Sequence, residues 1–457
     1  MEKDFKFLLL TDTHYFKNSL GAYGKAYDER IAYEQKCYAE TEAIDRVIFD
    51  YLKKFDETDT ILIAGDLSFN GEKESHEDFS QMLKELKATG KKIYVVTAGH
   101  DIGKNPTACP GTDKQVPVEG IKFGDLLSYY GEFGYDTAIE FNREHMSYVA
   151  QLADGIRLLV ICNDTVEGNN IAYTDEFFGW MEAQIKKAKE DGQMIFAMEH
   201  YPVIPGQPIL RFIGDAYQKD SARLIRTLAD NGCHLCFTGH MHNQSINLET
   251  TEKGNKFYDV CTGSAIGCPA YMRLCTIKDE NTIDIKSIPI PEFNHVWDTN
   301  GRTGEKYLQD LFDRMIINLL TGLKDDPVRT MKKIRMKQTK LTVSLMQKLG
   351  NAVCTKTVGQ TVKIFGVKAE AGIADKPLLE FLTEIVRYTF TGNQPYTEDT
   401  PGGKTFLKVI RRFKPVLSIL NKKVHGAQGE QLDLYDMIKN TIGNYDIDDY
   451  NAELKLN

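Results

Sequence analysis

Five of the chain's ten histidines stand just past strand-like runs. The first run ends in TDTH, which sets Asp12 and His14 two residues apart, and the next ends in AGDLSFNGE, with Asp66. A third ends in TAGHD, with His100 and Asp101. Later runs end in MEHYP, with His200, and FTGHMHN, with His240 and His242. In extended backbone, residues i and i+2 point the same way, so Asp12/His14 and His240/His242 can each aim two donors into one volume. Three carboxylates and five imidazoles are thus expected on one rim. Without counter-charge the cluster would bury costly unpaired groups, so the pattern calls for two divalent cations. Ions that accept mixed nitrogen and oxygen ligands suit it: Mn²⁺, Fe, Co²⁺, Ni²⁺ or Zn²⁺.

The elements that must position these residues read as alternating strands and helices. Strands are expected at Phe5–Thr11, Thr60–Ala64, Lys92–Thr97, Ser147–Leu152, Ile156–Cys162, Met194–Met198 and His234–Thr238. Helical spacing runs through Glu29–Phe55, Glu74–Ala88, Asp175–Lys189 (capped by Thr174) and Ser221–Asp230. Alternation of this kind means crossover units and largely parallel sheet, whose strands deliver their carboxyl ends to one rim. Residues 104–146, with Pro106, Pro110 and Pro117, read as a long insertion over that end. From Gln244 to Ile290 the pattern is strand–turn–strand, which suggests antiparallel edges. An α/β fold of two sheets packed face to face, helices outside, fits this order. Near residue 300 the character changes. Residues 1–299 are expected to form one domain and 300–457 an additional all-α one, joined through Asp298–Gly301. Two basic runs there, VRTMKKIRMKQTK and KVIRRFK, read as solvated helix faces, with a phosphate-bearing substrate, a nucleic acid or a membrane surface as the rival partners.

Length and composition set bounds. The chain has 457 residues, 42% hydrophobic and 26% charged, which is ample material for a core. A formal charge of −9 argues against non-specific binding to nucleic acid or anionic membrane. The run Phe7–Leu10 is too short for a signal-peptide core and no later run approaches a membrane span, so a cytoplasmic setting is expected. The nine cysteines then read as reduced core residues, including the Cys233/Cys236 C-x-x-C, which lies in a strand pattern with no matching second pair.

The ordered set D-x-H, G-D, H-D, H and G-H-x-H across residues 5–290 resembles the calcineurin-like metallophosphoesterases. Within them, GDLSFNGEKESH and the insertion after GHDIGKNP resemble a bacterial, cyclic-nucleotide-phosphodiesterase-like branch, in which extra C-terminal domains also occur. The resemblance implies a two-sheet αββα sandwich. It implies that Asp12, His14 and His242 bind one metal, that Asp66 bridges to a second, and that His200 and His240 complete the second. It places His100 above the pair as phosphoryl-oxygen stabiliser or general acid, with Asp101 orienting its imidazole and keeping it charged. Two cations about 3.5–4 Å apart would polarise a phosphoryl group and hold a bridging hydroxide for in-line attack.

The family normally has Asn immediately before this His, as a ligand of the second metal; here the residue is Gly99, which has no side-chain donor. Three protein ligands plus water still make a workable site, so a weaker or exchangeable second metal is expected. The activity implied is hydrolysis of small phosphodiesters, cyclic nucleotides first, with no nucleic-acid partner. The alternatives are a phosphomonoesterase, a hydrolase of nucleotide or lipid diphosphates, or a weakened phosphoester-binding protein. Lesser candidates are Asn163 and Asp164 beside the rim, Tyr201-Pro202 as the loop aiming His200, and Phe133, Tyr135 and Tyr148 as a base-stacking platform or loop core. His76, His145, His234, His295 and His425 read as structural.

Overall fold

The computed structural model describes residues 1–457 apart from 37, 164–172, 213, 335, 422–424, 427 and 443–446. One sheet has six strands in the order β16 (Asn451–Lys455), β15 (Thr282–Pro289), β14 (Tyr271–Asp279), β1 (Phe5–Leu10), β3 (Thr60–Ala64) and β4 (Lys92–Val96). The second has seven: β12 (Ser245–Thr250), β13 (Lys256–Cys261), β11 (Leu235–Thr238), β10 (Met194–Glu199), β9 (Ile156–Ile161), β8 (Ser147–Ala153) and β7 (Glu140–Asn142). A small third sheet joins β2 (Ala22–Tyr23), β5 (Thr107–Pro110) and β6 (Val116–Pro117). The centre of each large sheet is parallel, β1–β3–β4 in one and β9–β10–β11–β13 in the other, and antiparallel pairs flank both.

The two sheets meet through aromatic side chains. Phe7 of β1 stacks on Phe196 of β10 at 5.2 Å and meets the edge of Phe237 of β11 at 5.3 Å. Central strands buried on both faces read as continuous apolar runs, which is why TILIA and IRLLVI show no polar alternation. Helices α2 (Thr41–Lys54) and α3 (Lys73–Ala88) cover the first sheet with Ile44, Ile48, Phe79 and Leu83. Helices α5 (Asp175–Glu190) and α6 (Ser221–Ala229) cover the second with Phe177, Met181, Leu224 and Leu228. The layers are therefore helix, sheet, sheet, helix. Thr174 caps α5 by accepting from the Phe177 amide at 3.2 Å. The insertion carries β5, β6, β7 and the short α4 (Leu126–Tyr130).

The stretch 29–55 is not one helix. It divides into α1 (Lys25–Ile31) and α2, which are separate elements. Tertiary packing overrides the periodicity: Tyr38 stacks on Phe69 at 4.5 Å and meets Phe16 edge-on at 5.0 Å. The Thr41 hydroxyl, at the first position of α2, accepts from the Phe16 amide at 2.9 Å.

Beyond residue 303 come α7 (Gly304–Asp325), α8 (Pro327–Lys333), α9 (Lys340–Thr355), α10 (Val358–Ile364), α11 (Leu378–Thr391), α12 (Pro401–Leu420) and α13 (Leu434–Lys439). Six of these seven described helices start behind a Thr or Asp whose side chain accepts an orphan amide: Thr303, Asp326, Thr339, Thr357, Thr400 and Asp433. The helical region is not closed off from the rest. Its last strand, β16, pairs antiparallel with β15 and so forms the edge of the first sheet. Among the described residues, no helix is long and apolar enough to cross a membrane.

Candidate metal centre and active site

The six residues expected to bind metal all lie in turns just after parallel strands, but extended backbone is not what aims them. Asp12, His14, Asp66, His240 and His242 have φ between 43° and 68°, so five of the six adopt the left-handed conformation. The same-side geometry of residues i and i+2 in a strand therefore does not apply, and left-handed turns converge the side chains instead. Each such residue costs of order 1 kcal/mol, and such outliers persist where the surroundings over-determine them. Here the turns hold one another: the Asp12 amide donates to Gly65 O at 3.0 Å and the His14 amide to Asp66 O at 2.9 Å. The glycines ahead of Asp66 and His240 have a steric reason. A Cβ on Gly65 would lie 2.6 Å from His200 Nδ1, and one on Gly239 would lie 2.5 Å from Asp12 Oδ2.

The donors fall into two groups, Asp12 with His14 and His242, and Asp66 with His200 and His240, each with ligand atoms within 4.8 Å of one another. In the first, His14 Nε2 is 2.9 Å from His242 Nε2, and Asp12 Oδ1 is 3.5 and 3.3 Å from these nitrogens. In the second, His200 Nε2 is 3.1 Å from Asp66 Oδ2. That same Oδ2 lies 3.7 Å from His14 Nε2, so Asp66 stands between the groups.

The set fits cations. His200 Nδ1 donates to Ala64 O at 2.7 Å, which leaves Nε2 presenting a lone pair toward a carboxylate oxygen. Asp12 Oδ1 and His200 Nε2 are buried with no hydrogen-bond partner among the described residues. Lone pairs facing lone pairs in a buried volume require a positive charge between them. The electrostatics show the same demand for positive charge: without a cation, burial would lower His200, but the Asp66 and Asp12 carboxylates outweigh it, draw a proton onto His200 and push the ring up to about 10. Burial likewise opposes ionisation of Asp12, yet the His242 and His200 rings hold it well below the usual carboxylate range.

His100 departs from expectation. The Asp101 carboxylate does not reach for its imidazole: Oδ1 accepts from the Ser68 amide at 2.8 Å and Oδ2 from the Ala98 amide at 2.8 Å. Burial and then the nearby Asp66 push Asp101 up to about 8, so it pins two loops rather than supplying a charge. The His100 ring is oriented by Phe69 O, 2.7 Å from Nδ1; the carbonyl can only accept, so Nδ1 carries the proton. Nε2 is then the acceptor, and the Lys36 ammonium stands 2.8 Å from it. Burial, and next the Lys36 charge, pull His100 down to about 4, so the ring is neutral rather than kept charged. Lys36 itself is drawn down to about 8 by burial, against the pull of Asp66. The His100 amide donates to Asp66 Oδ1 at 3.1 Å, a backbone contact.

Lys36 and Arg30 were not legible from spacing. Arg30 is clamped by Glu34, Nε to Oε1 at 2.9 Å, and its guanidinium lies 4.7 Å from the Phe69 ring. A cavity of 540 Å³ opens over the centre, lined by Arg30, Asn70, Gly99, His100, Lys104 and His240 among others. An adjoining one of 310 Å³ includes Lys36 and His242.

The remaining candidates resolve as follows. Tyr201 packs on His240 at 4.1 Å and on His200 at 5.4 Å, the place expected of the residue that aims the loop. Asn163 donates to Gln218 Oε1 at 2.6 Å, and Asp164 lies outside the described residues. Phe133, Tyr135 and Tyr148 are buried, with Tyr135 against Tyr148 at 4.6 Å, so they are core rather than a platform for a base. His76 is buried between Ser68 Oγ at 3.1 Å and the Tyr130 hydroxyl at 2.6 Å. Cys233 and Cys236 are buried free thiols, and burial pushes Cys233 up to about 12.

The family model for calcineurin-like phosphoesterases matches residues 5–244, more than half of the chain, and the chain belongs to that family. Members are metal-dependent phosphoester hydrolases with a dinuclear centre, and the two donor groups supply candidate ligands for one. Among solved structures, the chain is similar to a dimetal phosphatase from Danio rerio, at 12% identity and a TM-score of 0.44, over 63% of this chain and 96% of that one. It is also similar to a purple acid phosphatase from yellow lupin, at 14% identity and a TM-score of 0.41, over 62% of this chain and 51% of that one. A third similarity is to an NAD nucleotidase from Haemophilus influenzae, at 12% identity and a TM-score of 0.35, over 78% of this chain and 62% of that one. No curated protein matches the sequence.

Proposed function

We propose that the protein hydrolyses small phosphodiesters, with cyclic nucleotides as the leading substrates. In this reading Asp12, His14 and His242 would hold one divalent cation, His200 and His240 would hold a second, and Asp66, which stands between the groups, would serve both. The observation that carries the reading is Asp66 Oδ2, placed 3.7 Å from a nitrogen of one group and 3.1 Å from a nitrogen of the other. Bound divalent cations would supply Lewis acidity to the phosphoryl oxygens and activate water at neutral pH.

The chain's own residues supply the rest. Phe69 O holds the His100 ring in one tautomer, so that Nε2 and the Lys36 ammonium form a proton-bearing pair at the cavity wall. Lys36 is the group placed to neutralise a phosphoryl oxygen and to protonate a leaving oxygen, directly or through His100 Nε2. Arg30 adds a fixed positive charge at the outer wall. A cavity of 540 Å³ is within the range that takes a nucleotide-sized ligand. The diester preference rests on the resemblance of GDLSFNGEKESH and the following insertion.

The test is turnover of 3′,5′-cyclic AMP, 2′,3′-cyclic AMP, bis(p-nitrophenyl) phosphate and p-nitrophenyl phosphate, side by side with Mn²⁺. The diesters are expected to turn over fastest. Hydrolysis of p-nitrophenyl phosphate alone would make the protein a phosphomonoesterase, and binding without turnover would make it a phosphoester-binding protein.

A further inference from the structure

Residues 327–369 contain ten of the chain's lysines and arginines and not one Asp or Glu, in a protein whose formal charge is −9. This segment includes α8 and α9, and α9 has an unpartnered face. Leu341, Leu345 and Leu349 recur every fourth residue and are 79%, 57% and 46% exposed. Lys348 falls on the same side, and Lys337 and Lys340 stand exposed at the helix start. Gly350, half a turn round from Leu341, is buried; a Cβ there would lie 2.6 Å from the Leu323 carbonyl carbon at the end of α7. The inner face of α9 is thus committed to α7, and the leucine face is left to solvent. Between the helices, Ile334 and Met336 are exposed as well. Among the described residues, Lys332, Lys337, Lys340 and Lys348 have no ion-pair partner.

We propose that this outer face of α8 and α9 docks the protein on an anionic lipid surface. Aliphatic side chains flanked by unpaired lysines are what an interfacial helix presents to the acyl boundary and the acidic headgroups. Two other occupants fit worse. A nucleic acid would use aromatic rings for stacking, and residues 327–355 contain no Phe, Tyr, Trp or His. A second copy meeting this face about a two-fold axis would set the same lysines against one another. The acidic remainder of the molecule is repelled by the same surface, which gives the docked protein one orientation. The face also lies one helix away from the catalytic wall: Arg329 and Lys333 of α8 lie over the Tyr33 ring at 5.5 and 5.4 Å, three residues before Lys36.

The experiment is flotation of the full chain with vesicles of phosphatidylcholine alone and of equal parts phosphatidylcholine and phosphatidylserine, at low and high salt. Binding is expected only to the mixed vesicles and is expected to fall with salt. The pair Lys337→Gln and Lys340→Gln should weaken it by about fivefold for each lysine removed. The pair Leu341→Ser and Leu345→Ser should weaken it at least about tenfold. Both double variants keep wild-type turnover of a soluble diester, which shows that they fold. The proposal is overturned by absence of flotation at low salt, or by flotation that neither pair weakens. It is equally overturned by retention on single-stranded RNA without vesicle binding, or by a dimer that the leucine pair abolishes.

Discussion

Lys36 is the residue whose removal separates the cavity wall from the proposed metal ligands beneath it. Its ammonium is 2.8 Å from His100 Nε2, while no carboxylate orients that ring. Lys36→Met keeps the stem and deletes the charge. It is expected to lower kcat/KM for bis(p-nitrophenyl) phosphate by about 100-fold, the scale of one lost oxyanion donor, with the number of bound metal ions unchanged. Activity within about twofold of wild type would remove Lys36 from the mechanism. Gly99 lines the same cavity, and Gly99→Asn adds an amide oxygen at the position where the family has one. The second divalent ion should then bind at least about tenfold tighter in calorimetric titration; equal affinity in both forms would show that the glycine is not the cause of a weak site. The proposed metal ligands were readable in the sequence because each follows a strand-like run, Asp66 and His240 directly behind a glycine and Asp12 and His242 two residues from a histidine. Lys36 and Arg30 were not, because they belong to a stretch that reads as continuous helix. Packing of Tyr38 on Phe69 and Phe16 accompanies the break in that helix, and no periodicity announces it.

At the scale of elements, the strands and the layers follow from apolar runs that alternate with amphipathic helices, and those were visible. The left-handed turns that aim five of the ligands were not, since Asp and His carry no mark of φ in their spacing. The loop between β3 and α3 shows how such turns are braced. Ser68 ties Asp101 to His76, and Glu72, at the cap of α3, accepts from the Asn70 amide at 3.0 Å. Burial raises Glu72 from 4.5 to about 7. A folded-state value above the unfolded one means that the folded protein holds the proton longer. The contribution to stability is therefore fully present below pH 4.5 and is lost as pH rises through 7. Glu72→Gln abolishes this loss. Denaturant titrations should show variant and wild type diverging between acidic and mildly alkaline pH, the variant gaining about 2–3 kcal/mol at the alkaline end. Parallel curves across that range would mean that Glu72 is ionised when folded.

At the scale of the whole molecule, the change in composition near residue 300 marks where helices begin, but the chain crosses back. A lone five-residue strand after a run of helices gives no periodic signal strong enough to place it on a distant sheet edge. Asp449, just ahead of that strand, joins three parts of the structure. Its Oδ1 accepts from the Ile246 amide on β12 at 2.9 Å, and its Oδ2 from the Asn393 amide after α11 at 2.9 Å. Its carbonyl accepts from Arg273 Nη1 on β14 at 2.9 Å. Arg273 is fully buried, and its other nitrogens are taken by Thr262 Oγ1 at 3.0 Å and Cys261 O at 2.7 Å. One short segment thus closes both large sheets against the helical region. Asp449→Ala leaves the carbonyl in place but strands two backbone amides, of which that of the buried Ile246 costs about 1–3 kcal/mol without a partner, whereas the exposed Asn393 can turn to water. The variant should lose about 1–3 kcal/mol in urea titration while keeping wild-type turnover and metal content below its melting temperature. Because Asp449, among the described residues, has no hydrogen bond to the proposed metal ligands, a parallel loss of bound metal in folded protein would show that the helical region shapes the proposed centre and does not merely brace it. No loss of stability would show that the helices and the sandwich hold together without this joint.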